Sequence, residues 1–181
     1  MNAMVGLTSF ALVITVATAS AQTTPISVVH EYVPSVSAIA GQAEIPSNLK
    51  ISSMYRELLE KMLSQSPTFR RQLLRIAAAQ ELTVYLKMTA PMWPGNVRAT
   101  TQFVRTDTGL LAATVEITPR RSDVELIAHE LEHVIEQLDE VDLSAKVGHS
   151  NSGVHATSGG GMVFETIRAT RIGQQVAREV Q

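Results

Sequence analysis

The segment that most constrains the fold is 122–140, because its apolar residues recur at helical spacing. Ser122 and Glu125 form a capping box, a pattern typical of the first turn of an α-helix. The apolar residues lie on one side of a helical wheel, between about 140° and 260° from His129. They are Val124, Ile127, Ala128, Leu131, Val134, Ile135 and Leu138. We therefore predict a helix with one face packed on a core and the opposite face free to line a cleft.

That opposite face carries the motif His-Glu-Leu-Glu-His at 129–133. His129 and His133 are one helical turn apart, so both imidazoles can reach one metal ion at about 2.0–2.1 Å. Glu130 points about 100° away around the helix, too far to bind the ion but close to a water activated by it. A chain of this composition is expected to contain only about 0.01 such motifs by chance. The competing interpretation is a solvated helix face that carries two histidines, and the metal interpretation is favoured.

A catalytic zinc site usually has a third protein ligand. The candidates are Glu136, Asp139, Glu140, His149, His155 and Glu165. Asp139 has the spacing of the third ligand in the longer H-E-x-x-H-x-x-G motifs, but Glu136 stands where those motifs have the glycine that breaks the helix. Glu165 is favoured, since it begins a predicted final helix and would complete a His₂Glu set. Alternatively, Glu165 is an acidic residue stabilised by the helix dipole.

The composition restricts which chemistry is possible. The chain of 181 residues has no cysteine, so a metal ion must be held by His, Asp or Glu. Zinc is the ion that suits two imidazoles and a carboxylate. The net charge of −2 is nearly balanced, which argues against binding to nucleic acid or to an anionic membrane.

The first residues predict export. Residues 1–21 contain no charged side chain, and the apolar run Phe10–Ala19 leads into Ala19-Ser20-Ala21. This is typical of a signal peptide cleaved near Ala21, which predicts a periplasmic or secreted protein. A membrane anchor is the alternative, but the run is shorter than the roughly 20 apolar residues of a span, so no stable span is expected after cleavage. Residues 22–47 are then a linker or arm, and 48–181 form a single domain.

The rest of the chain predicts an α+β fold with a small sheet. The predicted elements are helices from Ile51 to Leu63 and from Pro67 to Gln80, a strand at 81–87, a hairpin with strands at 100–105 and 110–117, a Ser/Gly/His loop at 144–161 and a helix at 163–178.

The motif at 129–133 together with Glu165 resembles the zincin metallopeptidases of the gluzincin type. More narrowly, Ser66-Pro-Thr-Phe, Ile127-Ala-His-Glu-Leu-Glu-His-Val-Ile-Glu136, Phe164-Glu-Thr and Gly173-Gln-Gln-Val are similar to small exported bacterial zinc metallopeptidases, over residues 65–180. The resemblance implies a zincin-like fold, in which a small, mostly antiparallel sheet packs on the active-site helix and further helices flank it.

The same resemblance implies residue roles. It implies His129, His133 and Glu165 as zinc ligands, Glu130 as the catalytic residue, and the strand 110–117 as an edge that pairs with an extended peptide substrate. Gluzincins often carry an aspartate four residues after the ligand glutamate to orient a histidine, but this chain has Ala169 there. Another residue, for which Glu136 is the candidate, must then orient that histidine.

The expected activity is zinc-dependent hydrolysis of peptide bonds in a peptide or protein substrate. Glu130 would take a proton from the zinc-activated water and pass it to the leaving amine, while His149 or His155 would donate a hydrogen bond to the oxyanion. One alternative is a catalytically inactive zincin-like domain that binds a metal ion or a partner protein. Another is a secreted inhibitor or chaperone in which the histidine pair is incidental.

Overall fold

The computed structural model describes residues 44–90, 98–119, 123–157 and 163–181, and the backbone of 12–13. These residues form seven strands and five α-helices, in agreement with the predicted α+β class. The strands are β1 Leu12–Val13, β2 Leu49–Ile51, β3 Leu82–Met88, β4 Ala99–Arg105, β5 Leu111–Ile117, β6 Val154–Thr157 and β7 Val163–Thr166. The helices are α1 Arg56–Gln65, α2 Pro67–Ala78, α3 Asp123–Leu138, α4 Leu143–Lys146 and α5 Ile167–Glu179, with a 3-10 turn at Ser53–Tyr55 before α1.

The main sheet has four strands in the order β2-β3-β5-β4. β2 and β3 are parallel, as are β3 and β5, while β4 and β5 form the predicted antiparallel hairpin. The expectation of a mostly antiparallel sheet is therefore wrong for this sheet, which is mixed. The helices α1 and α2 form the crossover that returns β3 parallel to β2. Gly109 closes the hairpin with φ +85°, a backbone conformation that glycine adopts without strain.

The position of β5 corrects a second expectation. The strand predicted at 110–117 is β5, and it lies inside the sheet between β3 and β4. It therefore has no free edge for a peptide substrate. The edge strand next to it is β4. After β3 the chain forms β4 at the outer edge first, and the hairpin then brings β5 back between β3 and β4. β2 forms the other edge. The sequence pattern does not predict this strand, because it places Ile51 at the start of the first helix.

A second sheet joins β1, β7 and β6 in antiparallel order. β6 and β7 replace parts of the predicted loop and final helix. The final helix begins at Ile167 instead of Val163, because the Thr166 hydroxyl caps it by accepting a hydrogen bond from the Ala169 N–H at 3.0 Å. Glu165 consequently lies on a strand.

Helix α3 is the centre of the packing. It contacts β4 and β5 of the main sheet and also α2 and α5. Helix α2 begins as predicted, with the Ser66 hydroxyl accepting a hydrogen bond from the Phe69 N–H. Glu179, near the end of α5, also accepts hydrogen bonds from the first residues of α2 and so ties the two helices together. Since α2 and α5 both contact α3, this link helps to hold them against α3.

Several predictions fall outside the described residues. The signal peptide at 1–21 and the linker at 22–47 lie outside them, apart from the backbone of Leu12–Val13 and residues 44–47. The predicted cap at Ser122 also lies outside them. Among the described helices, none combines the length and apolar character that a membrane crossing requires.

Candidate metal centre

The helix that carries the histidines is buried on all sides from Leu126 to Glu136. His129 and His133 are each 1% exposed, and Glu130 is fully buried. The expectation that this polar face is open is therefore wrong, because α5 packs against α3 and β7 supplies side chains that cover the histidines. The interpretation as a solvated helix face is wrong for the same reason.

The three predicted ligands converge. His129 Nε2 lies 3.1 Å from His133 Nε2 and 3.3 Å from Glu165 Oε2. One ligand atom from each of the three residues lies within 4.8 Å of the others, which is the geometry of a candidate metal site. Two ligands on one tetrahedral zinc ion are roughly 3.3 Å apart, so these two separations suit that ion. Glu165 reaches the site from strand β7, not from a helix as predicted.

A hydrogen-bonded chain orients one of the histidines. His133 Nδ1 lies 2.8 Å from Glu136 Oε2, and the Thr166 hydroxyl donates to Glu136 Oε1 at 2.8 Å. Because a carboxylate accepts, His133 carries a proton on Nδ1, and in the neutral imidazole Nε2 then keeps a lone pair facing His129 and Glu165. Glu136 thus orients His133, a role that Ala169, at the position of the gluzincin aspartate, cannot fill. The role of Thr166 was not predicted from the sequence.

Glu130 lies beside the histidines in a dry environment. Its Oε2 accepts a 2.6 Å hydrogen bond from the Thr101 hydroxyl on β4. Its Oε1 is buried and has no hydrogen-bond partner among the described residues. The sequence does not predict this role of Thr101 either, since nothing in the local pattern of β4 links it to α3.

Burial shapes the pKa values of the four residues. It lowers the pKa of His129 to about 4, so this imidazole is neutral at pH 7. Burial alone would lower the pKa of His133 too, but the hydrogen bond to Glu136 and the neighbouring carboxylates raise it above its usual value. Burial raises the pKa of Glu130, and it raises that of Glu165 to about 7.

Three buried or largely buried carboxylates therefore surround the histidines. Among the described residues, no Lys or Arg is within ion-pair distance of Glu130, Glu136 or Glu165. Buried carboxylates without a cation are unfavourable unless they are protonated or bind a metal ion. One oxygen of Glu165, Oε1, is also buried and has no hydrogen-bond partner within the ranges that the structure describes. The donor set and its charge both fit a divalent cation.

The other ligand candidates do not join this cluster. Asp139 forms ion pairs with Arg75 and Arg168, which lower the pKa of its carboxyl against the opposing effect of burial. Glu140 is exposed and ends the helix with φ +53°. His149 is exposed in the turn after α4.

His155 is close to the site without belonging to the ligand set. It stands directly opposite Glu165 in the β6–β7 ladder, so the two side chains share one face of the sheet. Burial raises the pKa of Glu165, and the electrostatic effect of the nearby His155 opposes this rise. The side chain is exposed, which leaves it accessible from the solvent side of the ligands.

The chain matches no protein-family model, no curated protein and no solved structure. Its function is therefore inferred from the residues of this centre.

Proposed function

We propose that this chain is a zinc-dependent metallopeptidase with a zincin-like active site. The observation that carries the proposal is the convergence of His129, His133 and Glu165 within 4.8 Å beside the buried Glu130. Two imidazoles and a carboxylate are the ligand set of thermolysin-like zinc. An all-oxygen site would suit Mg²⁺ or Ca²⁺, whereas two imidazoles favour zinc.

Bound zinc would supply Lewis-acid polarisation of a water molecule and of the scissile carbonyl group. Glu130 acts as the general base, taking a proton from the water and delivering it to the leaving amine. Its raised pKa suits this role, because a base that must later act as an acid works best with a pKa nearer to neutrality. Its Oε1, which is unpaired as far as the chain is described, is the oxygen available for that proton.

Of the two histidines considered for the oxyanion, the geometry supports His155. It lies opposite the ligand Glu165, whereas His149 lies in an exposed turn outside the ligand cluster. An imidazole N–H of His155 then donates to the carbonyl oxygen of the substrate as negative charge develops there.

The peptide substrate pairs with strand β4. This strand is the last of the four-stranded sheet and carries Thr101, which contacts the catalytic Glu130. Strand β1 of the leader-like segment lies against β4, so a peptide would pair there once that segment is removed. An edge strand offers backbone N–H and C=O groups that can extend the sheet with an incoming peptide. Together with the leader-like residues 1–21, this leads us to infer an exported peptidase that acts on extended segments outside the cytoplasm.

The test begins with the metal content of the purified chain. We expect about one zinc per chain by elemental analysis, and Glu165→Ala to lose it, with the exposed Glu140→Ala as the matched control that keeps it. Glu130→Gln should keep zinc and lower the hydrolysis of an unfolded protein substrate at least 10²-fold, the usual contribution of a general base. Retained zinc with unchanged hydrolysis in Glu130→Gln would falsify the proposed mechanism. Absence of zinc would favour the inhibitor or chaperone alternative.

The burial of the centre favours a second candidate, a zincin-like domain that binds metal without catalysis. His129, Glu130 and His133 are each at most 1% exposed, which leaves little room for a scissile bond beside them. Under this alternative the wild-type chain binds zinc tightly and cleaves no member of a diverse peptide library. Cleavage of any peptide that depends on Glu130 would exclude it.

A further inference from the structure

We infer that Thr101 is a positioning residue for Glu130, fixing which carboxylate oxygen is available to act as the base. The inference rests on the proposed peptidase function. It goes beyond the motif at 129–133, because Thr101 comes from a separate strand and belongs to no recognisable pattern.

The contact between the two side chains is short and buried. The Thr101 hydroxyl donates to Glu130 Oε2 at 2.6 Å, and both residues are 0% exposed. An O–H···O distance of 2.5–2.7 Å is typical of a charge-assisted hydrogen bond to an ionised carboxylate. The same hydroxyl lies 3.5 Å from the Glu130 carbonyl oxygen, a much longer contact. The carboxylate is therefore the preferred acceptor.

The bond distinguishes the two oxygens of Glu130. Oε2 is occupied by Thr101, while Oε1 has no partner in the described part of the chain. A carboxylate held at one oxygen cannot rotate freely, so the other oxygen keeps a fixed direction.

The backbone holds Thr101 rigidly enough for this role. Its partner in the β4–β5 hairpin ladder is Val115, which is fully buried. The neighbouring Thr100 has the same residue type and is 1% exposed, but its hydroxyl has no hydrogen-bond partner among the described residues. The two threonines therefore form a matched pair, in which only one hydroxyl touches the base.

The experiment compares zinc-loaded Thr101→Val, Thr101→Ser and Thr100→Val with the wild type. We expect Thr101→Val to lower kcat about 10- to 100-fold with little change in KM and with full zinc content, since a lost orienting contact acts on the chemical step. Thr101→Ser restores the hydroxyl and should recover most of kcat. Thr100→Val should stay close to wild type.

A second readout does not depend on activity. In metal-free protein labelled with ¹³C at glutamate side chains, the Glu130 carboxyl resonance should move in Thr101→Val, return in Thr101→Ser and stay in place in Thr100→Val. Equal kcat for the two valine variants, or no recovery in Thr101→Ser, overturns the inference. If instead the wild type hydrolyses no peptide, the proposed function fails, and the resonance still tests the contact itself.

Discussion

Replacing Gly173 by alanine should damage this protein, although the same change usually stabilises a helix. Gly173 lies within α5. In an ordinary helix interior, glycine is less favourable than alanine by about 1 kcal/mol. Here, however, a Cβ at Gly173 would lie 2.8 Å from the Glu125 carbonyl oxygen and 3.1 Å from His129 Cβ. Contacts under 3.0 Å are essentially never seen for Cβ atoms, so α5 and α3 must move apart.

The magnitude follows from two opposing effects. Overpacking against a backbone atom costs about 1–3 kcal/mol. Over most of this range the cost exceeds the gain of about 1 kcal/mol in helix propensity. We expect a net loss of up to about 2 kcal/mol in the free energy of unfolding. Since the displaced atoms include His129 and metal ligand distances tolerate only about 0.2 Å, zinc affinity should also fall roughly tenfold or more.

The assay is urea unfolding of the metal-free chain, followed by zinc titration against a chelator of known affinity. The matched control is Gln174→Ala at the exposed neighbouring position, which should change the free energy of unfolding by no more than about 0.5 kcal/mol. The reasoning about close helix packing is refuted if Gly173→Ala is as stable as the wild type and binds zinc equally well.

Three further predictions follow from the hydrogen bonds and pKa values. Glu136→Gln should weaken zinc binding about 10- to 100-fold by removing the carboxylate that orients His133, as measured by chelator competition. Zinc binding should release protons at pH 6 and fewer at pH 8, because Glu165, whose pKa is raised to about 7, must ionise to bind the ion. Calorimetry in two buffers counts the released protons, and no release at pH 6 contradicts the reasoning. Burial raises the pKa of Glu179, but hydrogen bonds from Ser66, Gln175 and Thr68 outweigh it and lower the pKa to about 2, below the unfolded value of about 4.3. Their stabilisation is therefore present above about pH 4.3 and lost towards pH 2. Glu179→Gln should therefore destabilise the chain by about 1 kcal/mol at pH 7, with the difference vanishing near pH 2 in urea unfolding.

The features predicted correctly are those that depend on neighbours in the sequence. The spacing of His129 and His133 places both on one helix face whatever the rest of the chain does. Ser66 before Pro67 starts a helix by a local hydrogen bond, and the hairpin around Gly109 follows from its turn residues.

The features that were missed depend on distant parts of the chain. Thr101 reaches Glu130 only because β4 lies at the sheet edge beside α3, and strand order is not encoded in the local pattern. The four-residue strands β6 and β7 are too short for alternation to identify them. The polar face of α3 is buried because α5 covers it, and an amphipathic pattern by itself indicates an exposed polar face.

Glu130, Glu136 and Glu165, which pair with no Lys or Arg in the described part of the chain, have a consequence for the lifetime of the protein. A divalent ion that binds there stabilises the folded chain by mass action, in proportion to the logarithm of its free concentration. Resistance to proteolysis in the compartment where the chain resides then follows the local supply of metal, since cleavage acts on the opened form. Under the proposed metal binding, the abundance of the protein would therefore follow the supply of metal.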